Sequence, residues 1–262
     1  MQVGEHARWD PVARTVSCLD CAAWARLAES PTERDAPIAP APVDPGVAGA
    51  SARRKYERLH AARERRARER LGILGLGLAR IAGDPSSTRA WRKGANGEVK
   101  VAARLAKQLD DSGVRLLHDR RMSGDGRANI DHLAVGPGGV TVIDAKALSG
   151  KVRVETVGGV FSQSQRLLRV AGRDRTRLVR GVQRQAEVVR ERLRESGLQM
   201  VDVRCALCFA STDGLPWRRL ELDGVMLAGP KRVAGLARRP GPLGETEVER
   251  VLYALAKVLA PA

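Results

Sequence analysis

The spacing of apolar positions changes several times along the chain, and each change marks an element. "GANGEVKVAARLAKQLDDSG" sets Val101, Leu105 and Leu109 at helical spacing and ends on Gly113, which predicts a helix from about 96 to 110. "VRLLHD" follows as a strand, then "RMSGDGRA" as a polar loop. "NIDHLAVG" and "VTVIDAK" make two strands dense in apolar residues, and "KVRVE", "GVFSQ" and "RLLRVAG" make shorter antiparallel ones separated by glycine-containing turns. Residues 176–195 predict a helix whose apolar stripe carries Leu178, Val182, Val189 and Leu193. "MVDVRCALCFA" is a long buried strand, "DGVMLAG" another, and "GETEVERVLYALAKVLA" a closing amphipathic helix. Helix, strands, helix, strand, strand and helix in this order predict an α/β (α+β) domain, a sheet with helices on its faces.

Ahead of that domain the pattern is different. Residues 1–30 form a short segment containing "CLDC", and residues 31–50 form a Pro/Ala-rich linker that cannot build a packed core. Residues 51–90 are read as a basic helix and connector, leaving 91–262 as the main domain. "SARRKYERLHAARERRARER" is polar nearly all round, with Ser51 as its N-cap and Gly72 as its stop. Such a helix is either solvated or laid against something anionic.

Charge sharpens this picture. The formal net charge of +16 favours a polyanionic partner, because clustered cations release counterions from a phosphate backbone. Arginines outnumber lysines by 38 to 8, and the codon bias of a GC-rich genome accounts for part of that excess. Aromatic residues, at 3%, leave the core to Leu, Val, Ile and Ala and argue against a base-stacking platform for single strands. The longest apolar run, "LGILGLGLARIAG", is interrupted by Arg80 and is shorter than a membrane span, and "MQVGEHARWD" lacks a secretory pattern. A cytoplasmic protein with no membrane partner is expected.

The two apolar strands carry charges where none is expected. Gly136, Pro137, Gly138 and Gly139 between them favour a hairpin. Pairing Val135 with Val140 then sets Leu133 opposite Val142 and Asp131 opposite Asp144, with Lys146 on the same face. Directly opposed residues have Cβ atoms about 5 Å apart. Two such carboxylates repel and are costly to desolvate. A divalent cation, Mg²⁺ or Mn²⁺, compensates them, and Lys146 could hold an attacking water and oppose charge developing on a phosphate. That is a phosphodiester-hydrolysing constellation. The blander reading is an ion pair between Lys146 and one aspartate at the end of a sheet. Glu98, on the preceding helix, is the candidate third acid.

Other candidates carry less. Cys18 and Cys21 have metal-ligand spacing, and with Cys205 and Cys208 they would complete a four-thiolate zinc site. In a strand, however, positions three apart point to opposite faces, so Cys205 and Cys208 read as buried structural thiols and zinc as a minor alternative. His132 is read as a core histidine. Arg166, Arg169, Arg173, Arg175, Arg177 and Arg180 are candidate nucleic-acid-binding residues that would position a phosphate backbone without reading its sequence; a solvated surface is the alternative.

"GANGEVKVAARL", "NIDHLAVGPGGVTVIDAKALSGKV", "GVQRQ" and "VRCALCFA", together spanning roughly residues 91–230, resemble the nuclease-related domain (NERD) family of the PD-(D/E)xK, restriction-endonuclease-like superfamily. The resemblance implies a mixed β-sheet core flanked by helices and Mg²⁺-dependent cleavage of nucleic acid. It makes Glu98 the helix acid beside the metal, and Asp131 and Asp144 the strand ligands, assisted by the backbone carbonyl of Ala145. Lys146 would be the catalytic lysine, and Gln185 the helix glutamine near that lysine or the DNA backbone. Asp144 stands where the family more often has Glu, and Gly181 and Val182 stand where Asn-Pro is often found. The expected function is a metal-dependent deoxyribonuclease, with a homodimer as one way to cut both strands. The alternatives are a non-catalytic nucleic-acid-binding protein of the same fold and an interaction protein that recruits partners through its linker and basic helix.

Overall fold

The computed structural model describes residues 7–10, 15–18, 42–81, 85–122, 128–159 and 162–262. Strands β1 (Ala7–Asp10) and β2 (Thr15–Cys18) pair antiparallel within a unit of their own, Met1–Pro42. Val43–Ala262 form the second unit. It begins with helix α1 (Ala50–Ile81), which breaks at Gly72, and helix α2 (Ser86–Leu109) packs against it. The predicted stop at Gly72 is there as a break: φ of +59° suits a residue without Cβ, and the helix resumes beyond it.

Strands β3 (Arg115–Arg121), β4 (Asn129–Gly136) and β5 (Gly139–Lys146) follow as an antiparallel meander. β6 (Val152–Gly159), β7 (Ser162–Val170) and β8 (Arg173–Asp174) make a separate three-stranded sheet. Helix α3 (Thr176–Glu195) then leads to β9 (Val203–Phe209), which lies parallel beside β5. β10 (Glu221–Leu222), β11 (Val225–Ala228), α4 (Pro230–Ala237) and α5 (Glu245–Val258) complete the chain. The main sheet is mixed, in the order β10-β11-β9-β5-β4-β3. An α/β fold with helices on both faces is therefore what this sequence makes.

The faces follow the alternation of side chains. On β4 and β5, Leu133, Val135, Val140 and Val142 point to one side, with α3, α5 and the small sheet. Ala134, Ile143 and Ala145 point to the other, with α2 and α4. The same period sends Cys205 and Cys208 into opposite core clusters as free thiols. α3 is held by Val179, Val182, Ala186, Val189 and Leu193, all fully buried. Each buried Val or Leu contributes about 1.5–3 kcal/mol, far more than the intrinsic preference of its arginine-rich outer face.

The structure corrects several expectations. The hairpin turn is the two residues Pro137 and Gly138, because Gly136 already pairs with Gly139; the register Val135–Val140 and Leu133–Val142 is as expected. Gly139 holds φ at +108°, and a Cβ there would meet the Asp202 carbonyl oxygen at 2.3 Å, so the turn needs glycine. α2 starts at Ser86, about ten residues earlier than its apolar stripe suggests, since Arg89, Arg92 and Lys93 conceal the buried Thr88 and Ala95. "GVFSQ" and "RLLRVAG" contribute to one strand, β7, rather than two. Ser51 is not an N-cap but lies inside α1, whose first turn is capped from a distant strand.

Candidate active site

The β4–β5 ladder ends at His132 opposite Ile143, one pair before the two aspartates would meet. Expected backbone pairing between Asp131 and Asp144 is replaced there. The Ala145 N–H donates instead to Asp131 Oδ2 at 2.8 Å, so a carboxylate takes the place of a main-chain acceptor and the strand ends part around it. Asp144 is nearly buried beside it. Lys146 Nζ lies 2.6 Å from Asp144 Oδ2 and 3.9 Å from Asp131 Oδ2, and donates to the Ala145 carbonyl at 3.1 Å. From α3, Gln185 Nε2 donates to Asp144 Oδ1 at 3.2 Å and to the Asn129 carbonyl at 3.4 Å. Glu98 and Asp131 line one cavity of ≈ 1170 Å³. The sequence-predicted acids, lysine and glutamine therefore converge.

α2 brings Glu98 close because Gly97 has no side chain. A Cβ on Gly97 would stand 2.7 Å from the Ala147 Cβ, just beyond the end of β5. Negative charge is in surplus at the resulting site. Burial, then Asp131 and Asp119, push the Glu98 carboxyl up to about 9. Burial, then Asp144, raise Asp131 to about 7, with Lys146 and the Ala145 N–H pulling the other way. For Lys146, burial works against the charge, but Asp131 and Asp144 outweigh it and raise its pKa.

Behind the site, His132 is fully buried and shares a proton with His118, Nδ1 to Nδ1 at 2.9 Å. Burial, then His118 and Lys146, hold His132 down to about 3, so it is a neutral core histidine.

Two acceptor oxygens, Gln185 Oε1 and Asn129 Oδ1, are buried without a hydrogen-bond partner. Asp131, Asp144 and the Ala145 carbonyl add further hard oxygens, whose present donors are the Ala145 N–H, Gln185 and Lys146. That chemistry fits a hydrated Mg²⁺, which keeps several waters whose hydrogens would satisfy such acceptors. Among the described residues no three His, Cys, Asp or Glu side chains group closely enough to hold a metal ion, so the side chains would supply only part of the ion's shell. Cys18 lies in β2, and Cys21 falls outside the described residues.

None of the six predicted arginines lines this cavity. Arg166 donates to the Glu221 carbonyl, Arg169 pairs with Glu155 at 2.9 Å, and Arg175 precedes α3, half-buried. Arg173, Arg177 and Arg180 are exposed. The cations that line it are Arg54, Lys55 and Arg58 of α1 and Arg121 of β3, with Trp91 of α2. The arginine-rich run of α1 was the one signal in the sequence for them; nothing in it showed which element the helix would face.

α1 is fixed in place by Asp119, a buried residue with φ of +48°. Its carboxylate accepts the Ser51 N–H at 2.6 Å, the Ser51 hydroxyl at 2.7 Å and the Asn129 amide at 3.0 Å. An acid thus caps the helix from 68 residues away, where it also complements the helix dipole.

Residues 93–210 match the family model described as nuclease-related domain. That segment is similar to the NERD family. The matched segment contains Glu98, Asp131, Asp144, Lys146 and Gln185, whereas α1 and Trp91 lie outside it. Neither the curated proteins nor the solved structures compared with the chain gave a match. Among the described residues no helix is long and apolar enough to cross a membrane.

Proposed function

We propose that the protein is a Mg²⁺-dependent nuclease that hydrolyses phosphodiester bonds of DNA. The observation that carries this reading is the parting of β4 and β5 around Asp131, Asp144 and Lys146. A chain that needed only a stable sheet end would have no reason to bury a surplus of carboxylates there. Asp131, Asp144 and the Ala145 carbonyl would hold the ion, with Glu98 beside them. When bound, the ion supplies Lewis acidity and a water acidic enough to be a nucleophile near neutral pH.

The remaining roles belong to the chain. Lys146 keeps its proton because the two aspartates raise its pKa, so its ammonium can face the charge that develops on a phosphate. Gln185 fixes Asp144 by donating to one oxygen while Lys146 takes the other. The cations of α1 and Arg121 supply phosphate contacts at the mouth of the cavity, and the exposed Arg173, Arg177 and Arg180 extend the basic surface.

One observation favours the non-catalytic alternative. The 2.6 Å pair between Lys146 and Asp144 already neutralises one carboxylate without a metal. The two readings separate on supercoiled plasmid and linear duplex, incubated with Mg²⁺, Mn²⁺ or EDTA, beside Asp144→Ala. Metal-dependent cleavage lost in the variant supports the nuclease. Salt-sensitive binding that ignores metal, with no cleavage, supports a binding protein.

A further inference from the structure

We infer that the cleft takes a single strand of nucleic acid, with one base stacked on Trp91 and its phosphates held by α1; this rests on the nuclease reading for what happens next, but not for binding. Trp91 lines the acid cavity and remains 44% exposed, an unusual place for a large indole. It sits seven residues before Glu98, two turns up the same face of α2, so about 10 Å separates the two along the helix. That distance spans one or two nucleotides of an extended strand.

The opposite wall is α1. Arg54 and Arg58 stand one turn apart, with Lys55 between them, all lining the same cavity. Lys55 and Arg58 make no ion pair among the described residues, whereas Arg54 donates to the carbonyl of Ala262. Glu98 and Asp131 line the cavity opposite α1, where Glu57 is the one acid among Arg54, Lys55 and Arg58. A basic groove with an aromatic face is the arrangement that binds single strands without sequence preference. Arg121 lines the same cavity from β3. The overall scarcity of aromatic residues predicts no such platform; one tryptophan at the cavity suffices.

The test is fluorescence anisotropy on the full chain in EDTA, so that binding is read without cleavage. The probes are a labelled mixed-sequence single-stranded DNA, the matching RNA, and a duplex hairpin with closed ends. The wild type is expected to bind the single strand at least 10-fold tighter than the closed duplex. Trp91→Ala should weaken single-strand binding about 5- to 150-fold and Trp91→Phe much less, because one base–aromatic stack is worth that range. Arg58→Ala should lower the salt slope by about 1. Circular dichroism checks that each variant folds, and Trp91→Phe keeps the test open if the alanine variant does not. Equal affinity for closed duplex and single strand, or binding indifferent to Trp91→Ala in a folded protein, overturns the inference. Stacking-dependent binding without metal-dependent cleavage would sink the nuclease reading alone, and cleavage with equal duplex affinity would sink this one alone. Tighter binding of either sugar, DNA or RNA, supports the site and names its substrate.

Discussion

Asp131 accepts the backbone N–H of Ala145 at 2.8 Å, so one side chain serves both as the end of a β-ladder and as a member of the acid cluster. The two roles can be pulled apart by substitution. Asp131→Asn keeps an oxygen acceptor for the N–H and removes the charge. Its melting temperature should stay near that of the wild type or rise, because a repulsion with Asp144 is gone, while metal-dependent cleavage falls at least 100-fold. Asp131→Ala also strands the Ala145 N–H and should cost about 1–3 kcal/mol of stability. Thermal melts beside plasmid cleavage check both, and equal stability of the two variants would show that the hydrogen bond holds nothing.

The acid cluster should make the metal-free protein sensitive to alkali. Glu98 has a folded pKa of about 9 against 4.5 unfolded, so the folded state holds a proton that the unfolded state releases across that window. Stability therefore falls as pH rises from 4.5 to 9. Asp131, raised to about 7, adds to the fall up to that pH. His132 works in the opposite sense: held at about 3, it gives stability that is lost as pH drops from 6.5 towards 3. The two effects oppose each other below pH 6.5 and leave a net decline between pH 7 and 9. Melting curves in EDTA should show that decline, Glu98→Gln should flatten it, and Mg²⁺ should raise the melting temperature most at the alkaline end. A flat wild-type profile from pH 7 to 9 would contradict the burial of Glu98.

Asp119 joins α1 to the sheet through Ser51 and β4 through Asn129. Asp119→Ala leaves three donors without their acceptor and removes the anion from the helix N-terminus. The expected cost is about 1–3 kcal/mol, concentrated at the start of α1. Hydrogen exchange should rise first in residues 50–58 and much less in β5, and single-strand affinity should drop, because Arg54, Lys55 and Arg58 lose their fixed position. Uniform loss of protection over the whole fold would mean that Asp119 supports the sheet rather than the helix.

The hairpin and its charges were legible because both signals are local. A period of two set the faces of β4 and β5, and the glycine-rich turn set the register to within a pair. α3 was read from end to end, since its stripe is clean and Thr176 and Glu195 bound it. The splaying at Asp131 could not be read, because it depends on a side chain taking over a main-chain hydrogen bond. The walls of the cavity were also out of reach: a helix polar on every side gives no face to orient, and its cap comes from a residue 68 positions away. The predicted arginines of 166–180 lie nearer in sequence to Asp131 than α1 does, yet it is α1 that lines a cavity with that acid.

Gly97 offers a sharper test of the geometry than any acid, since it has no chemistry of its own. An alanine there would gain helix propensity, about 1 kcal/mol, but its Cβ would press on Ala147 at 2.7 Å. The neighbour is a Cβ and backbone rather than a flexible tip, so α2 must shift, at a cost of about 1–3 kcal/mol. The two terms nearly offset, and Gly97→Ala should melt within a few degrees of the wild type. Cleavage should suffer much more, because Glu98 is the next residue and a displacement of about 1 Å can cost about 100-fold in rate. Steady-state cleavage beside a melting curve separates the two readings. Activity that tracks stability would place Glu98 outside the machinery, and activity lost from a stable protein would place it within.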